Sequence, residues 1–379
     1  MKRQILPSIL KDLNEKMVFL AGPRQVGKTT FSLELLGTDS TEHPAYINWD
    51  YPPSRTSLLK GEIPADQKFL VFDEIHKYHD WRNLIKGIYD RYKSSRKFLI
   101  TGSARLDYYR RGGDSLQGRY HLYRMHPLSL FEITSTPNDS DLEYLLRTGG
   151  FPEPFFKADE IFWKRWQLER QKRIIQEDLI QLEKVREISK LELLHTLLLD
   201  RVGSILSVNS LREDLSVSHE TVENYLQIFE NLYSIYRISP YYTNKIRSVK
   251  KEKKLYFWDW SLCKDPGSRF ENFIGSQLLK YCHFREDVFG FKMELQYLRD
   301  TDKREIDFVV TEDDKIKFAV ECKLGEKQIS KHISYFSERV GIPKFYQTHL
   351  GNEDFEKVEI RTRVMPALRF LEMLERSLV

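Results

Sequence analysis

Cysteine is scarce in this chain. Its three thiols, Cys263, Cys282 and Cys322, are scattered without a Cys-x-x-Cys pair. That excludes a disulfide framework and a cysteine-built zinc site, and it fits a reducing, cytoplasmic setting. Long apolar runs are missing too: nothing approaches the ~18 residues of a membrane span. The opening residues, Met-Lys-Arg-Gln-Ile-Leu-Pro, lack the apolar core of a signal peptide, so no membrane partner is expected. There are no internal repeats or low-complexity stretches. Charge of neither sign dominates, since 60 Lys and Arg face 56 Asp and Glu for a net +4. So mild a balance permits contact with nucleic acid without arguing for it, and local patches must decide. What remains is 379 residues, 41% hydrophobic and 31% charged, the profile of a soluble globular protein. That length exceeds what one core usually serves, so two or three domains are expected.

The most informative stretch is Gly22-Pro23-Arg24-Gln25-Val26-Gly27-Lys28-Thr29, followed by Thr30. It fits G-x-x-x-x-G-K-[ST] at every fixed position. The preceding Met17–Ala21 reads as a short buried strand and Thr30–Leu36 as a helix, the setting a phosphate-binding loop needs. The glycines let main-chain N–H groups converge on phosphates, helped by the positive end of the helix. Lys28 would reach the β and γ phosphates and the Thr29 hydroxyl would hold Mg²⁺, so ATP with Mg²⁺ is the expected ligand.

Such a pocket needs a second strand ending in acid. Lys68–Glu74 supplies four apolar residues and then Asp73 and Glu74, 45 and 46 residues beyond Lys28. Asp73 would bind Mg²⁺ through water. Glu74 would act as the general base on the attacking water, which points to hydrolysis and not only to binding. A third strand, Lys97–Ile100, ends in Thr101-Gly-Ser103. These hydroxyls could sense the γ-phosphate or cap the next helix. Arg119 follows a glycine-rich turn (Gly112-Gly113). It could serve as an arginine finger in trans, which requires a homo-oligomer, or be an ordinary solvated arginine; Arg105 competes for the role.

With those residues in view the chain resembles the prokaryotic AAA-type ATPases that carry a C-terminal domain of uncharacterised function. The resemblance rests on Gly22–Thr30, Asp73-Glu-Ile-His-Lys77, Thr101-Gly-Ser-Ala104, Leu116-Gln-Gly-Arg119, His126-Pro-Leu-Ser-Leu-Phe-Glu132 and Gly149-Gly-Phe-Pro-Glu153, in that order. It implies an α/β protein: a P-loop ATPase core with a parallel sheet, then a winged helix, then a restriction-endonuclease-like α/β module. One departure is His76, where the family more often has glutamine.

The middle of the chain is helical in character. Ile161–Ile188 carries Lys164-Arg165, Arg170, Lys172-Arg173 and then Glu177-Asp178. It reads as a solvated helix laced with ion pairs or as a grip on nucleic acid. A helix-turn-helix pattern follows: Leu191–Val202, Ser210–Leu215, the turn Ser216-Val-Ser218, and His219–Tyr233. Strand-like Ser234–Tyr241 and Leu255–Asp259 flank a loop with Lys245, Arg247, Lys250, Lys251, Lys253 and Lys254. The layout is that of a winged helix. Its third helix, however, carries Glu220, Glu223 and Glu230 and no basic residue, so a phosphate-lined groove should repel it. DNA contact would fall to the basic wing; the alternatives are packing between domains or subunits and a solvated loop.

Arg304–Val310 and Lys317–Lys323 read as a hairpin joined by Glu312-Asp-Asp314. Alternation puts Glu321 and Lys323 on one face and Cys322 on the other. With Asp307 on the partner strand and Glu271 from an upstream helix, carboxylates and a lysine could converge. That set suits metal-assisted phosphodiester hydrolysis, and equally a scaffold of ion pairs. Asp307, thirteen intervening residues, then Glu321-x-Lys323 resembles the PD-(D/E)XK nuclease pattern. The resemblance implies Glu271, Asp307 and Glu321 as metal ligands and Lys323 as a catalytic cation. Val358–Arg361 reads as a further strand, and the amphipathic stretch after Pro366 as a closing helix.

The organisation expected is thus an ATPase core over 1–135, a helical lid or linker over 136–200, a winged helix over 201–262 and a nuclease-like domain over 268–379. The expected function is Mg²⁺-dependent ATP hydrolysis coupled to a module acting on DNA. The competing reading is a nucleotide-gated regulatory or interaction protein whose nuclease-like fold does not cleave.

Overall fold

Five short, apolar segments with buried faces dictate a parallel sheet in the first part of the chain, because only crossover helices can cover both faces of such strands. The computed structural model describes residues 3–102, 116–174, 188–242, 252–326 and 328–378. Ser103, Ala104, Arg105 and Gly112-Gly113 lie outside these, as do Glu177-Asp178 and Lys245, Arg247, Lys250 and Lys251. The chain divides into two units, Met1–His126 with Asn231–Tyr233, and Pro127–Glu230 with Ser234–Val379.

In the first unit, β1 (Met17–Ala21), β2 (Tyr46–Asn48), β3 (Phe69–Asp73), β4 (Lys97–Thr101) and β5 (Tyr120–Arg124) stand in the order β2-β3-β4-β1-β5. Every neighbouring pair is parallel. All five residues of β1 are buried, and β3 and β4 are buried from their second residue onward. Helices Lys28–Leu36, Pro52–Leu59 and Trp81–Tyr92 cross over between strands. Because the strands run one way, the loop after β1, Asp73 at the end of β3 and Thr101 at the end of β4 share one edge. That edge is where open α/β sheets place ligands.

The second unit begins with helices, among them Asp139–Thr148 and Glu160–Arg173. Gly149 adopts φ +83°, and a Cβ there would come within 2.8 Å of the Asp259 carboxylate. The glycine pair of the Gly-Gly-Phe-Pro motif is therefore a close-packing requirement. Arg170 departs from both expectations for its helix. It is 4% exposed, stacks 3.9 Å above the Phe151 ring and pairs with Asp259 at 3.6 Å. The solvated ion pair expected there does form at Glu160–Lys164, at 2.7 Å.

Helices Ile188–Leu199, Val208–Leu215 and His219–Asn231 follow. Ser216, in the left-handed conformation (φ 52°), closes the second, and the Ser218 hydroxyl accepts from Thr221 N at 3.0 Å to start the third. The acids of that third helix have an internal partner. Arg237, its side chain 4% exposed, pairs with Glu223 at 2.8 Å and Glu230 at 2.9 Å.

The hairpin of β6 (Ile235–Pro240) and β7 (Lys254–Phe257) is antiparallel. It continues into one eight-stranded sheet with β8 (Met293–Arg299), β9 (Glu305–Glu312), β10 (Lys315–Lys323), β11 (Phe345–His349), β12 (Phe355–Lys357) and β13 (Thr362–Pro366). The order is β12-β13-β11-β10-β9-β8-β6-β7. β9 and β10 form the expected antiparallel hairpin, and β10, β11 and β13 are parallel. The 24-residue helix Pro266–Phe289 covers this sheet. It is started by Asp265, which accepts from Ser268 N, and by Pro266 in the first turn, where its missing N–H has no consequence.

Two expectations need correction. Val358–Arg361 is not a strand: Val358–Ile360 is a 3-10 turn, and Arg361 at φ 52° breaks any ladder. Val358 is 73% exposed, so its apolar alternation had no buried face to serve. The strands lie on either side, at β12 and β13. Lys254, grouped with the basic loop, is instead the first residue of β7 and 1% exposed. Among the described residues no helix is long and apolar enough to cross a membrane.

Candidate functional site

The loop after β1 is shaped by steric necessity. Gly22 has φ +152°, and a Cβ there would lie 2.4 Å from the Met125 carbonyl oxygen. Gly27 precedes the helix at φ 99°, and Gln25 takes a left-handed φ of 62°. The main-chain N–H groups of the first helical turn have no acceptor within the helix, and they open toward the loop as an anion cradle. Lys28 is buried, and its Nζ donates to the Gly22 and Pro23 carbonyls at 2.8 and 2.7 Å. Arg3 braces the loop from outside the motif. It is 3% exposed and donates to the Val26 and His126 carbonyls at 2.5 and 3.0 Å.

Opposite the loop, Asp73 ends β3 in register with Thr101 on β4 and Asn48 on β2. Its carboxylate is 4% exposed as a residue and accepts only from hydroxyls in the contacts described: Thr29 Oγ1 at 3.1 Å, Tyr46 and Thr101. Burial, reinforced by the neighbouring Asp73 charge, pushes the Tyr46 phenol well above its usual range, so it stays a donor. Three neutral donors orient this carboxylate without cancelling its charge. Thr29 and Asp73 could thus hold a divalent ion between them.

Glu74 leaves the strand in the left-handed conformation at φ 57°, a geometry that costs a non-glycine residue about 1–2 kcal/mol. Its N–H donates to the Thr101 carbonyl at 3.1 Å. Its carboxylate lies 3.3 Å from Lys77 and 3.9 Å from His76 Nε2, and Lys77 also pairs with Asp50 at 2.5 Å. Burial lowers the Lys77 pKa, but Asp50 and Glu74 outweigh it and hold the ammonium charged. Arg119 is engaged within its own unit, its Nε and Nη2 donating to Asp90 at 2.9 and 3.2 Å.

In the second unit the fold draws together the acids that the sequence singles out. Register places Val320 opposite Phe308, so Glu321 and Asp307 are the next facing pair. Asp307 accepts from Cys322 N at 2.8 Å. Glu321 pairs with Lys323 at 2.7 Å through Oε1, while its buried Oε2 has no hydrogen-bond partner. Glu271, on the long helix, accepts from Tyr256 OH at 2.8 Å. Lys254 enters among these acids: its Nζ is 2.5 Å from Glu305, 3.2 Å from Glu271 and 3.8 Å from Asp307. Glu305 also pairs with Arg299 at 2.8 Å.

Burial and then Asp307 raise Glu271 to about 7, against the pull of Lys254. Burial and Asp307 likewise raise Glu321 to about 8, opposed by Lys323. Burial lowers the Lys254 pKa, but Glu271, Asp307 and Glu305 overcome it and keep the ammonium charged. Among the described residues no group of three or more His, Cys, Asp or Glu is arranged to hold a metal ion. Of the expected ligands, Glu271 has its Oε1 taken by Lys254 and Tyr256. Asp307 accepts from Cys322 N and lies 3.8 Å from Lys254, and Glu321 has one oxygen on Lys323. Asp307 and Glu321 are the two that follow one another in the hairpin register.

Arg3, Tyr46, Lys254 and Glu305 are the residues at these candidate sites that sequence reasoning missed. Only Lys254 left a signal, as a lysine directly preceding the apolar Leu255-Tyr-Phe.

Comparison with known proteins agrees with the first unit's geometry. Residues 14–134 match the family described as an AAA domain. Residues 139–265 and 266–370 match two families described as domains of unknown function, DUF8612 and DUF4143. The phosphate-binding loop and the acid-tipped strand thus lie within the AAA-like region, ahead of two regions of unassigned role. A curated relative is the uncharacterised protein MJ1544 of Methanocaldococcus jannaschii, 25% identical over 93% of this chain and 86% of its own length. Another is the uncharacterised Rv2008c of Mycobacterium tuberculosis, 25% identical over 65% of this chain. The match spans only 55% of that relative's length. Among solved structures, Aeropyrum pernix ORC1 in complex with DNA aligns at TM-score 0.33 and 13% identity, over 69% of this chain and 91% of its own. The Thermotoga maritima RuvB Holliday junction branch migration motor aligns at 0.30 and 16%, over 62% and 87%.

Proposed function

We propose that this protein is a Mg²⁺-dependent ATPase whose nucleotide state controls a nuclease-like C-terminal module acting on DNA. The observation that carries the first half is the 3.1 Å approach of Thr29 Oγ1 to the Asp73 carboxylate beside the Lys28 loop. Amides of residues 22–30 bind the phosphates, and Lys28 exchanges its carbonyl partners for β and γ oxygens. Thr29 and Asp73 would hold magnesium, which would supply positive charge against the β and γ phosphates. Glu74 takes a proton from water as the water oxygen bonds to the γ-phosphorus. The bond from that phosphorus to the bridging oxygen breaks, giving ADP and phosphate. Arg119 acts as a finger in trans in a homo-oligomer, which first requires it to leave Asp90. Glu74 must likewise turn from Lys77 toward the water.

The second half rests on Asp307 and Glu321 facing one another across a hairpin, with Lys323 beside them, in the manner of PD-(D/E)XK nucleases. Helices Val208–Leu215 and His219–Asn231 and the β6–β7 hairpin support a winged-helix reading of 201–262. Glu223 and Glu230 of its third helix are tied to Arg237 and the helix carries no basic residue, so DNA contact falls to the hairpin's basic loop. We take 1–135 as the ATPase core, 136–200 as the linker and 268–379 as the nuclease-like domain. A second reading, a nucleotide-gated regulatory protein that does not cleave, is favoured by the ammonium of Lys254 among the acids.

One paired assay tests both halves. Glu74→Gln should bind ATP yet turn over about 10²–10⁴-fold more slowly, as loss of a general base predicts; wild-type turnover in that variant would remove Glu74 from the role. Mg²⁺- or Mn²⁺-dependent nicking of plasmid DNA, lost in both Asp307→Ala and Lys323→Ala, supports the module as an enzyme. No nicking of any DNA form by pure wild type favours the regulatory reading.

A further inference from the structure

Lys254 is a buried lysine whose surroundings explain its charge but whose position has a chemical consequence. Its ammonium is held by Glu271, Glu305 and Asp307, carboxylates supplied by a helix and a strand that are remote from it in sequence. Its Nζ also stands over the Tyr297 ring, 5.6 Å from the ring centre. The backbone of Lys254 is fixed on both sides, paired with Ile238 on β6 and bridged to Ile205. The residue is therefore a positive charge delivered by a rigid strand to a defined point.

Asp307 is the residue this charge shares with the facing pair. One of its oxygens looks toward Lys254 at 3.8 Å, while the other accepts from Cys322 N. Beside it, Glu321 keeps a fully buried oxygen without a hydrogen-bond partner. Buried carboxylate oxygens are ordinarily satisfied, so this one leaves Glu321 with capacity for a further donor or a cation. Mg²⁺ binds such oxygens at about 2.0–2.1 Å. Seated on Asp307, it would face the Lys254 ammonium at short range and compete for the same carboxylate.

We infer that Lys254 is a tethered counter-cation that keeps divalent metal off the Asp307–Glu321 pair, so that the pair accepts metal only when Lys254 is withdrawn. The inference rests on the nuclease-like reading of that pair and names its regulation: the resting site is held closed to metal by charge. It accounts for an acid cluster that looks built for a metal yet is already compensated by the protein itself.

The test is Mn²⁺ binding to the full chain, counted by the loss of the free-ion electron paramagnetic resonance signal. Lys254→Met keeps the stem and removes the charge. It should gain one tightly held Mn²⁺ per chain that wild type lacks and that Lys254→Met with Asp307→Asn loses. Mn²⁺ held at the phosphate-binding loop is common to all three and cancels. An Asp307-dependent Mn²⁺ in wild type overturns the inference. So does a folded Lys254→Met, judged by circular dichroism, that gains none. If that variant does not fold, Lys254→Gln takes its place. If both fail, equal Mn²⁺ binding by wild type and Asp307→Asn supports the inference, and a loss in Asp307→Asn overturns it. The readout is independent of cleavage. Absence of nicking by wild type and also by a Lys254→Met that has gained Mn²⁺ sinks the cleavage reading alone. Nicking together with Asp307-dependent Mn²⁺ in wild type sinks the present inference alone.

Discussion

The two acid sites of this molecule treat buried charge in opposite ways. In the first unit, Asp73 is surrounded by hydroxyls from Thr29, Tyr46 and Thr101. Hydroxyls orient a carboxylate and leave its charge in place for a ligand. In the second unit, Glu271, Glu305, Asp307 and Glu321 are met by the cations of Lys254, Arg299 and Lys323. The same unit buries Arg170 against Asp259. Ammonium and guanidinium partners neutralise the acids and convert them into structure. Neutral donors thus leave a carboxylate's charge available to a ligand, and charged donors leave it already compensated from within. Merely counting carboxylates would rate the second site as the stronger candidate; the identity of their donors reverses the ranking.

That contrast can be broken most forcefully where the second unit pairs its charges. Asp259→Ala leaves the Arg170 guanidinium buried without its carboxylate, and breaking a buried pair costs about 3–5 kcal/mol. Urea denaturation should register a loss of that order; a loss under about 1 kcal/mol would mean that stacking on Phe151 alone holds Arg170. At the hydroxyl-held site the corresponding effect should be small. Tyr46→Phe removes one of three donors to Asp73, worth about 1 kcal/mol. The Mg²⁺ concentration for half-maximal ATP hydrolysis should rise roughly five-fold, with the fold intact. No change would show that Thr29 and Thr101 suffice to orient Asp73.

How much of this was legible in the sequence depended on how local each feature is. The phosphate-binding loop is contiguous, so Gly22 to Thr30 announced strand, turn and helix together. Asp73 and Glu74 were readable because a doubly buried strand leaves an uninterrupted apolar run before them. The β9–β10 hairpin was readable from alternation around Glu312-Asp-Asp314. The rest depends on distant partners. Lys254 looked like one more loop lysine because its acids lie on β9 and the long helix. Arg170 sat in a charged helix whose period gives no hint that Phe151 and Asp259 would bury it. Arg3 and Tyr46 belong to no motif and acquire their roles only when the sheet brings them to the loop. Val358–Arg361 misled because alternation describes a strand only where one face is buried.

The central claim is that main-chain amides of residues 22–30 and the Lys28 ammonium bind the triphosphate of ATP. Isothermal titration of ATP with Mg²⁺ into wild type and into Lys28→Ala tests it most directly. One saturable site in wild type that vanishes in the variant is the predicted result. An absence of heat in well-folded wild type, or equal binding in Lys28→Ala, contradicts it.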